Sequence, residues 1–160
     1  MRNKNGAKLR LQDYLPYRLS VASNAVSQLI ARSYEEKFAL KIPQWRLLAV
    51  LADEGPLTQQ MLCGRTIMDK VAVLRAAQAL LRRRLVKKLP NDRDGRSHRL
   101  LLTKSGARLY ARIVPLALKY EAELLAGIEK HEIDRLEQLR EFLHRGWRWA
   151  KSWGDTDEHR

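Results

Sequence analysis

Between Thr58 and Thr103 the sequence is punctuated so closely that few folds can accommodate it. Gly55-Pro56 breaks the chain, and Thr58 then stands as the N-cap of a short helix reaching about Arg65. Asp69 is a second N-cap, opening a helix from Lys70 to about Arg83. Only Thr66, Ile67 and Met68 separate the two. Two short capped helices joined this tightly form the helix-turn-helix pattern. Leu85–Leu89 and His98–Leu102 read as two short strands around Pro90-Asn91-Asp92-Arg93-Asp94-Gly95-Arg96. That segment is a turn by composition, too long for a two-residue hairpin and charged enough to project. Thr103 caps the helix that follows.

The flanks are helical. From Asp13 to Leu40 the residues Leu15, Leu19, Ala22, Val26, Leu29, Ile30, Tyr34 and Phe38 form one apolar stripe. Ile42-Pro43 ends it, and Pro43 suits the first turn of a helix running to Asp53. After Thr103 a helix runs through Leu109, Ile113, Leu116, Ala117, Tyr120 and Leu124 towards Gly127, and Pro115 inside it is expected to kink it. A last helix, roughly Glu132 to Ser152, carries Leu136, Leu139, Phe142, Leu143 and Trp147. The predicted fold is mainly α with a small β-hairpin wing (α+β), a winged helix-turn-helix flanked by terminal dimerisation helices. Residues 1–40 are an arm and dimerisation helix, 41–103 the DNA-binding domain, and 104–160 the C-terminal dimerisation helices and tail. The terminal helices carry more apolar surface than so small a module can cover, which predicts a homodimer.

Charge points to the partner. Of the excess behind the formal +13, most lies between Arg65 and Arg112, where 14 Lys or Arg face 3 acidic residues. The rest of the chain has 17 basic and 15 acidic residues. So localised an excess favours a polyanion over a surface tuned for solubility. No apolar run is long enough to span a bilayer, the basic N-terminus lacks the apolar core of a secretory signal, and Cys63 alone cannot form an intrachain disulfide. A cytoplasmic protein is expected. No enzyme is expected either: His98, His131, His144 and His159 have no ligand spacing, no glycine-rich phosphate loop occurs, and no metal or cofactor is implied. Cys63, set among Met61 and Leu62, reads as a small hydrophobe before a redox sensor. Trp147, Trp149 and Trp153, interleaved with Arg145, Arg148 and Lys151, read as dimer interface before membrane-surface helix.

Taken in order, these pieces resemble the multiple-antibiotic-resistance regulator (MarR) family of bacterial transcription factors. The matching stretches are Pro43 to Leu51, Gly55 to Gln60, Met68-Asp69-Lys70, Arg75 to Leu80, and Asp92-Arg93-Asp94-Gly95-Arg96-Ser97 running on to Leu102-Thr103. The Asp-x-x-Gly-Arg wing before a Leu-Thr helix start is the most specific. The resemblance implies dimeric winged-helix repressors or activators, often released from DNA by a small ligand. It makes Lys70 to Arg83 the recognition helix and Leu85 to Leu102 the wing.

On that helix Val73, Ala77, Leu80 and Leu81 share one face, while Val71, Arg75, Gln78 and Arg82 lie opposite, free to enter a major groove. Arg75 can bond guanine through O6 and N7, Gln78 can read adenine, and Val71 and Ala72 can touch thymine methyls. Lys70 and Thr58, near helix N-termini, suit phosphate. Arg93 and Arg96 are placed for the adjacent minor groove or its phosphates, with Asp92 and Asp94 orienting them. Arg82, Arg83 and Arg84 sit where a helix C-terminus favours cations anyway. The chain departs from the family pattern at Val71, Ala72 and Leu74, where Ser or Thr is more usual, and at Arg84, usually a helix-ending Gly. Either the operator is rich in methyl contacts, the favoured reading, or direct readout is weak and the basic segment compensates.

The family's usual ligands are small aromatic or phenolic acids held between the dimerising helices and the DNA-binding lobe. By position, Tyr17, Ser20, Asn24, Trp45 and Arg46 line such a cleft, although Trp45 at helical spacing equally reads as core. The expected function is a sequence-specific regulator on double-stranded DNA, a homodimeric repressor of a palindromic operator. The alternative is a basic architectural protein, on DNA or RNA, that reads shape rather than sequence.

Overall fold

The computed structural model describes residues 9–91 and 97–154, with residue 33 and residues 144–154 by backbone alone. A turn at Leu11–Asp13 precedes α1 (Leu15–Phe38) and α2 (Ile42–Glu54). Then come β1 (Leu57–Thr58), α3 (Gln59–Thr66), α4 (Lys70–Arg82), β2 (Val86–Pro90) and β3 (His98–Leu102). Last are α5 (Lys104–Leu124) and α6 (Lys130–Gly154). By its contacts the chain forms two units, one through Tyr120 and one from Glu121, and the helix-turn-helix and wing lie wholly in the first.

The caps read from sequence are in place. Thr58 Oγ1 accepts from the Met61 amide at 3.3 Å, and Asp69 Oδ1 accepts from the Ala72 amide at 2.8 Å. Thr103 Oγ1 accepts from the Gly106 amide at 3.1 Å and donates to the Arg84 carbonyl at 2.7 Å. Each satisfies an amide that the first helical turn leaves without a partner. Between α3 and α4 the core is aliphatic. Val73, Ala76, Ala77 and Leu80 of α4 are buried where α4 packs on α2 and α3, which contribute Leu47, Leu48, Leu51 and Leu62. Burying one Leu or Val of this kind is worth roughly 1.5–3 kcal/mol, so this face fixes the roll of α4.

The sheet has three strands where the sequence predicts two. Its order is β1-β3-β2, all antiparallel, with Leu57 opposite Leu100 and Val86 opposite Leu102. At two residues β1 is too short to show alternation, and its Thr58 doubles as a helix cap.

The end of α4 is shaped by a residue that sequence flags as out of place. Arg84 adopts φ +54°, its amide donates to the Leu81 carbonyl at 2.9 Å, and the Leu85 amide donates to the Leu80 carbonyl at 3.0 Å. That pair of bonds is the Schellman ending, in which glycine usually holds the left-handed place. The chain accordingly turns sharply into β2, and Gly106 on the first turn of α5 rests directly on the Leu85 carbonyl.

The apolar stripe of α1 divides in two. Its C-terminal part joins the core through Ala31 and Tyr34, with Ile30 and Phe38 alongside. Its N-terminal part, with Leu15, Leu19 and Leu29, is exposed. In the second unit, Leu136, Leu139, Phe142 and Leu143 of α6 are exposed as well. Pro115 lies within α5, as the sequence indicates.

Candidate nucleic-acid interface

The outward face of α4 follows from its inward one. With Val73, Ala77 and Leu80 buried, 3.6-residue periodicity turns Val71, Leu74, Arg75, Gln78 and Arg82 outward, and all five are exposed. Leu81 and Ala72 sit at the margins, half-buried. Among the described residues the side chains of Arg75, Gln78 and Arg82 meet no hydrogen-bond or ion-pair partner, so their donors face solvent. Lys70 is exposed at the first position of the helix.

Both helix N-termini expected to hold phosphate are already partly engaged. Thr58, half-buried, and Asp69 each bind the amide three residues on. At α4 this leaves the Lys70 ammonium and the first two amides for an anion, beside a carboxylate that opposes one. On the wing Lys87 and Lys88 are exposed along β2, and Asn91 Nδ2 donates to Ser97 Oγ at 2.6 Å across the base of the loop. Arg93, Arg96, Asp92 and Asp94 lie outside the described residues.

Arg83 has a task that sequence does not disclose. Its guanidinium donates to the Ala39 carbonyl at 2.7 Å and to the Phe38 carbonyl at 2.9 Å, capping the last turn of α1. The guanidinium of Arg112 lies 5.3 Å from the centre of the Phe38 ring, on the same joint. Arg83 and Ala39 are 44 positions apart, and no local pattern links them. Arg65 is likewise occupied, donating to Glu54 Oε2 at 2.8 Å between α3 and the end of α2.

The residues proposed for an effector fall into two groups. Tyr17, Ser20 and Asn24 lie on α1, all exposed; Arg46 is exposed on α2. Trp45 is half-buried between two tyrosines, 5.2 Å from the Tyr34 ring centre and 5.7 Å from that of Tyr110, nearly parallel to the latter. Burial and then the neighbouring Tyr120 push the Tyr34 hydroxyl above its ordinary pKa, so it stays neutral. A surface cavity of about 380 Å³ nearby is lined by Gln28, Ala31, Arg32, Glu35, Lys41, Ile42 and Pro43, and by none of those five. Cys63 is partly buried against the core. Among the described residues no cluster of His, Cys, Asp or Glu could hold a metal, and no helix is long and apolar enough to cross a membrane.

A helix held by its buried face, presenting exposed arginine and glutamine beside a small sheet, defines the winged helix-turn-helix class. The MarR family model matches residues 40–97, which run from the start of α2 into the wing. An uncharacterized helix-turn-helix transcriptional regulator of Bacillus subtilis (strain 168), YwoH, is 29% identical over 119 residues, covering 72% of this chain and 86% of the relative. A MarR/EmrR family transcriptional regulator from Acinetobacter sp. ADP1 superposes with a TM-score of 0.80 at 23% identity, over 88% of this chain and 99% of that one. Sco3205 from Streptomyces coelicolor, a MarR family regulator solved in complex with DNA, gives 0.78 at 16% identity, over 90% and 92%. At these identities the two solved structures speak for the fold; the family model and the bacterial relative carry the kinship. Residues 40–97 match the MarR family, and the fold and the relatives are those of a DNA-binding transcriptional regulator.

Proposed function

We infer that the protein acts in the cytoplasm as a homodimeric, sequence-specific repressor on a palindromic operator in double-stranded DNA. The observation that carries the sequence reading is the exposed Arg75–Gln78–Arg82 face of α4, whose side chains have no partner among the described residues, opposite a fully apolar buried face. Arg75 is assigned to guanine and Gln78 to adenine, each capable of a bidentate bond to its base edge. Lys70, Arg82, Lys87 and Lys88, with Arg93 and Arg96 of the wing, are assigned to phosphates and the adjacent minor groove. Dimerisation is supported by the exposed leucines of α1 and by Leu136, Leu139, Phe142 and Leu143 on α6, surfaces too apolar to be left in water. A dimer on a palindrome sets its two reading helices about one turn, ~34 Å, apart. A small aromatic or phenolic carboxylate bound near Tyr17, Ser20, Asn24, Trp45 and Arg46 would release DNA by favouring another spacing.

Selection of duplexes from a random pool, run in parallel with Arg75→Ala, tests this. The expected result is a palindrome for the wild type and loss of preference at one position per half-site for the variant. A pool that never converges refutes sequence-specific regulation and leaves a shape-reading basic protein. Light scattering decides the oligomeric state, and titration of aromatic acids against the protein–operator complex decides the effector.

A further inference from the structure

The DNA-facing surface is not only basic. Ile67, in the turn between α3 and α4, is 76% exposed; Val71 and Leu74, in the first turns of α4, are 55% and 40% exposed. Val71 and Leu74 are neighbours at i and i+3, and they share the outward face with Arg75 and Gln78. Ala72, by contrast, is half-buried. Three aliphatic side chains held in water at the leading end of a reading helix gain nothing for the free protein.

The backbone adds a second, independent observation. Ile67 ends α3 at φ +53°, a left-handed conformation that β-branched residues adopt at a cost and that glycine or asparagine accept cheaply. The sequence thus places a residue that both strains the turn and exposes its side chain. Neither burial nor helix capping in the free protein compensates for that choice.

Resting on the DNA-reading role assigned to α4, we propose that Ile67, Val71 and Leu74 form an apolar reader of thymine C5-methyl groups in the major groove. Each methyl projects from the groove edge where an α-helix enters, and an aliphatic contact excludes water from both partners. The surrounding charge fits this occupant: Lys70 and Arg82, exposed towards either end of the same helix, suit the phosphates on either side of a groove. Arg75 and Gln78 read by hydrogen bonds, and the aliphatic trio reads beside them by shape and hydrophobicity. The trio also accounts for a helix that carries Val71 and Leu74 where hydroxyls would otherwise serve.

The test uses the full-length protein and its selected operator, with thymines in each half-site replaced by deoxyuridine. That change removes the methyl group and leaves base pairing intact. Affinity is expected to fall about fourfold per contacted methyl, and about 15-fold when the same position is altered in both half-sites. Val71→Ser and Leu74→Ser should bind the thymine operator more weakly and discriminate less between the two duplexes. Ile67→Asn should raise the urea midpoint, since the strain is relieved, while lowering affinity for the thymine operator. Misfolding cannot produce those opposite movements. Equal binding of thymine and deoxyuridine duplexes by the wild type, on a converged operator, overturns the methyl reader while leaving DNA reading intact and transfers the patch to a protein partner. Failure of any operator to emerge overturns both.

Discussion

Replacing Gly106 by alanine adds one carbon where the fold has no room for it. A Cβ on Gly106 would overlap the Leu85 carbonyl oxygen, sit 3.0 Å from the Leu85 carbonyl carbon and 3.3 Å from Leu102 Cδ2. The obstruction is backbone, so no rotamer change relieves it. To make room, α5 lifts off the sheet and the Leu85 peptide rotates. Rotation gives up the bond from the Thr103 amide to the Leu85 carbonyl, 3.0 Å long, at a net cost of about 1 kcal/mol. Lifting α5 loosens the Thr103 cap, and overpacking at such a contact costs roughly 1–3 kcal/mol. Against this, alanine gains about 1 kcal/mol over glycine in a helix. The two costs add, and the balance is a loss of roughly 1–3 kcal/mol, a sizeable share of a typical domain's ~5–15 kcal/mol.

Gly64, inside α3, supplies the control, because a Cβ there meets nothing within 4 Å. Gly64→Ala should stabilise by about 0.5–1 kcal/mol. The assay is urea unfolding followed by tryptophan fluorescence and circular dichroism, at one fixed protein concentration because any self-association would couple to stability. With a slope of ~2 kcal/mol/M, the Gly106→Ala midpoint should drop by about 0.5–1.5 M while that of Gly64→Ala rises. A Gly106→Ala protein at or above the wild-type midpoint would refute the claim that α5 is seated on the Leu85 carbonyl.

Three further outcomes follow from particular contacts. Arg83→Ala should cost about 1–2 kcal/mol by uncapping α1 yet leave the salt dependence of DNA binding unchanged, whereas Arg82→Ala should lower the slope of log K against log salt by about 0.9. Arg84→Gly should raise the thermal midpoint, since relief of the left-handed strain, about 1–2 kcal/mol, exceeds the roughly 0.4–1 kcal/mol by which glycine favours the unfolded chain. Tyr34, whose folded pKa lies above the unfolded value of 10.0, binds its proton more tightly when folded, so its contribution is full below pH 10 and is lost as pH rises above it. The difference in urea midpoint between wild type and Tyr34→Phe, measured from pH 8 to 11, should therefore shrink above pH 10.

The sequence disclosed what is local. Caps at Thr58, Asp69 and Thr103 are short-range chemistry between a side chain and an amide three residues on, and the faces of α4 follow from its period. What stayed hidden is pairing across distance. Arg83 could be seen as a cation at a helix end, but its acceptors on Phe38 and Ala39 are set by tertiary packing. The strand β1 needed β3 to exist at all, and the burial of Trp45 between Tyr34 and Tyr110 needed three helices. Arg84 was visible as a departure from a glycine position, though only the backbone shows that it keeps the glycine's conformation.

Those distant contacts matter for the base reading proposed for α4 because they leave the helix few ways to move. Its roll is set by Val73, Ala77 and Leu80, its first turn by Asp69, and its last by the Schellman bonds at Leu80 and Leu81. Arg83 adds a brace from just beyond its end to the end of α1. A side chain contributes to base discrimination only if its backbone is held to within a fraction of an ångström, because a loose donor finds an acceptor on several bases. Fixing both ends and the buried face of a 13-residue helix meets that requirement before DNA arrives. The exposed face can then carry mobile side chains such as Arg75 and Gln78 and stiff ones such as Val71, since the scaffold rather than the side chain supplies the position. Loosening the brace should therefore blunt discrimination among bases more than it weakens attraction to phosphate, which depends on charge and tolerates displacement.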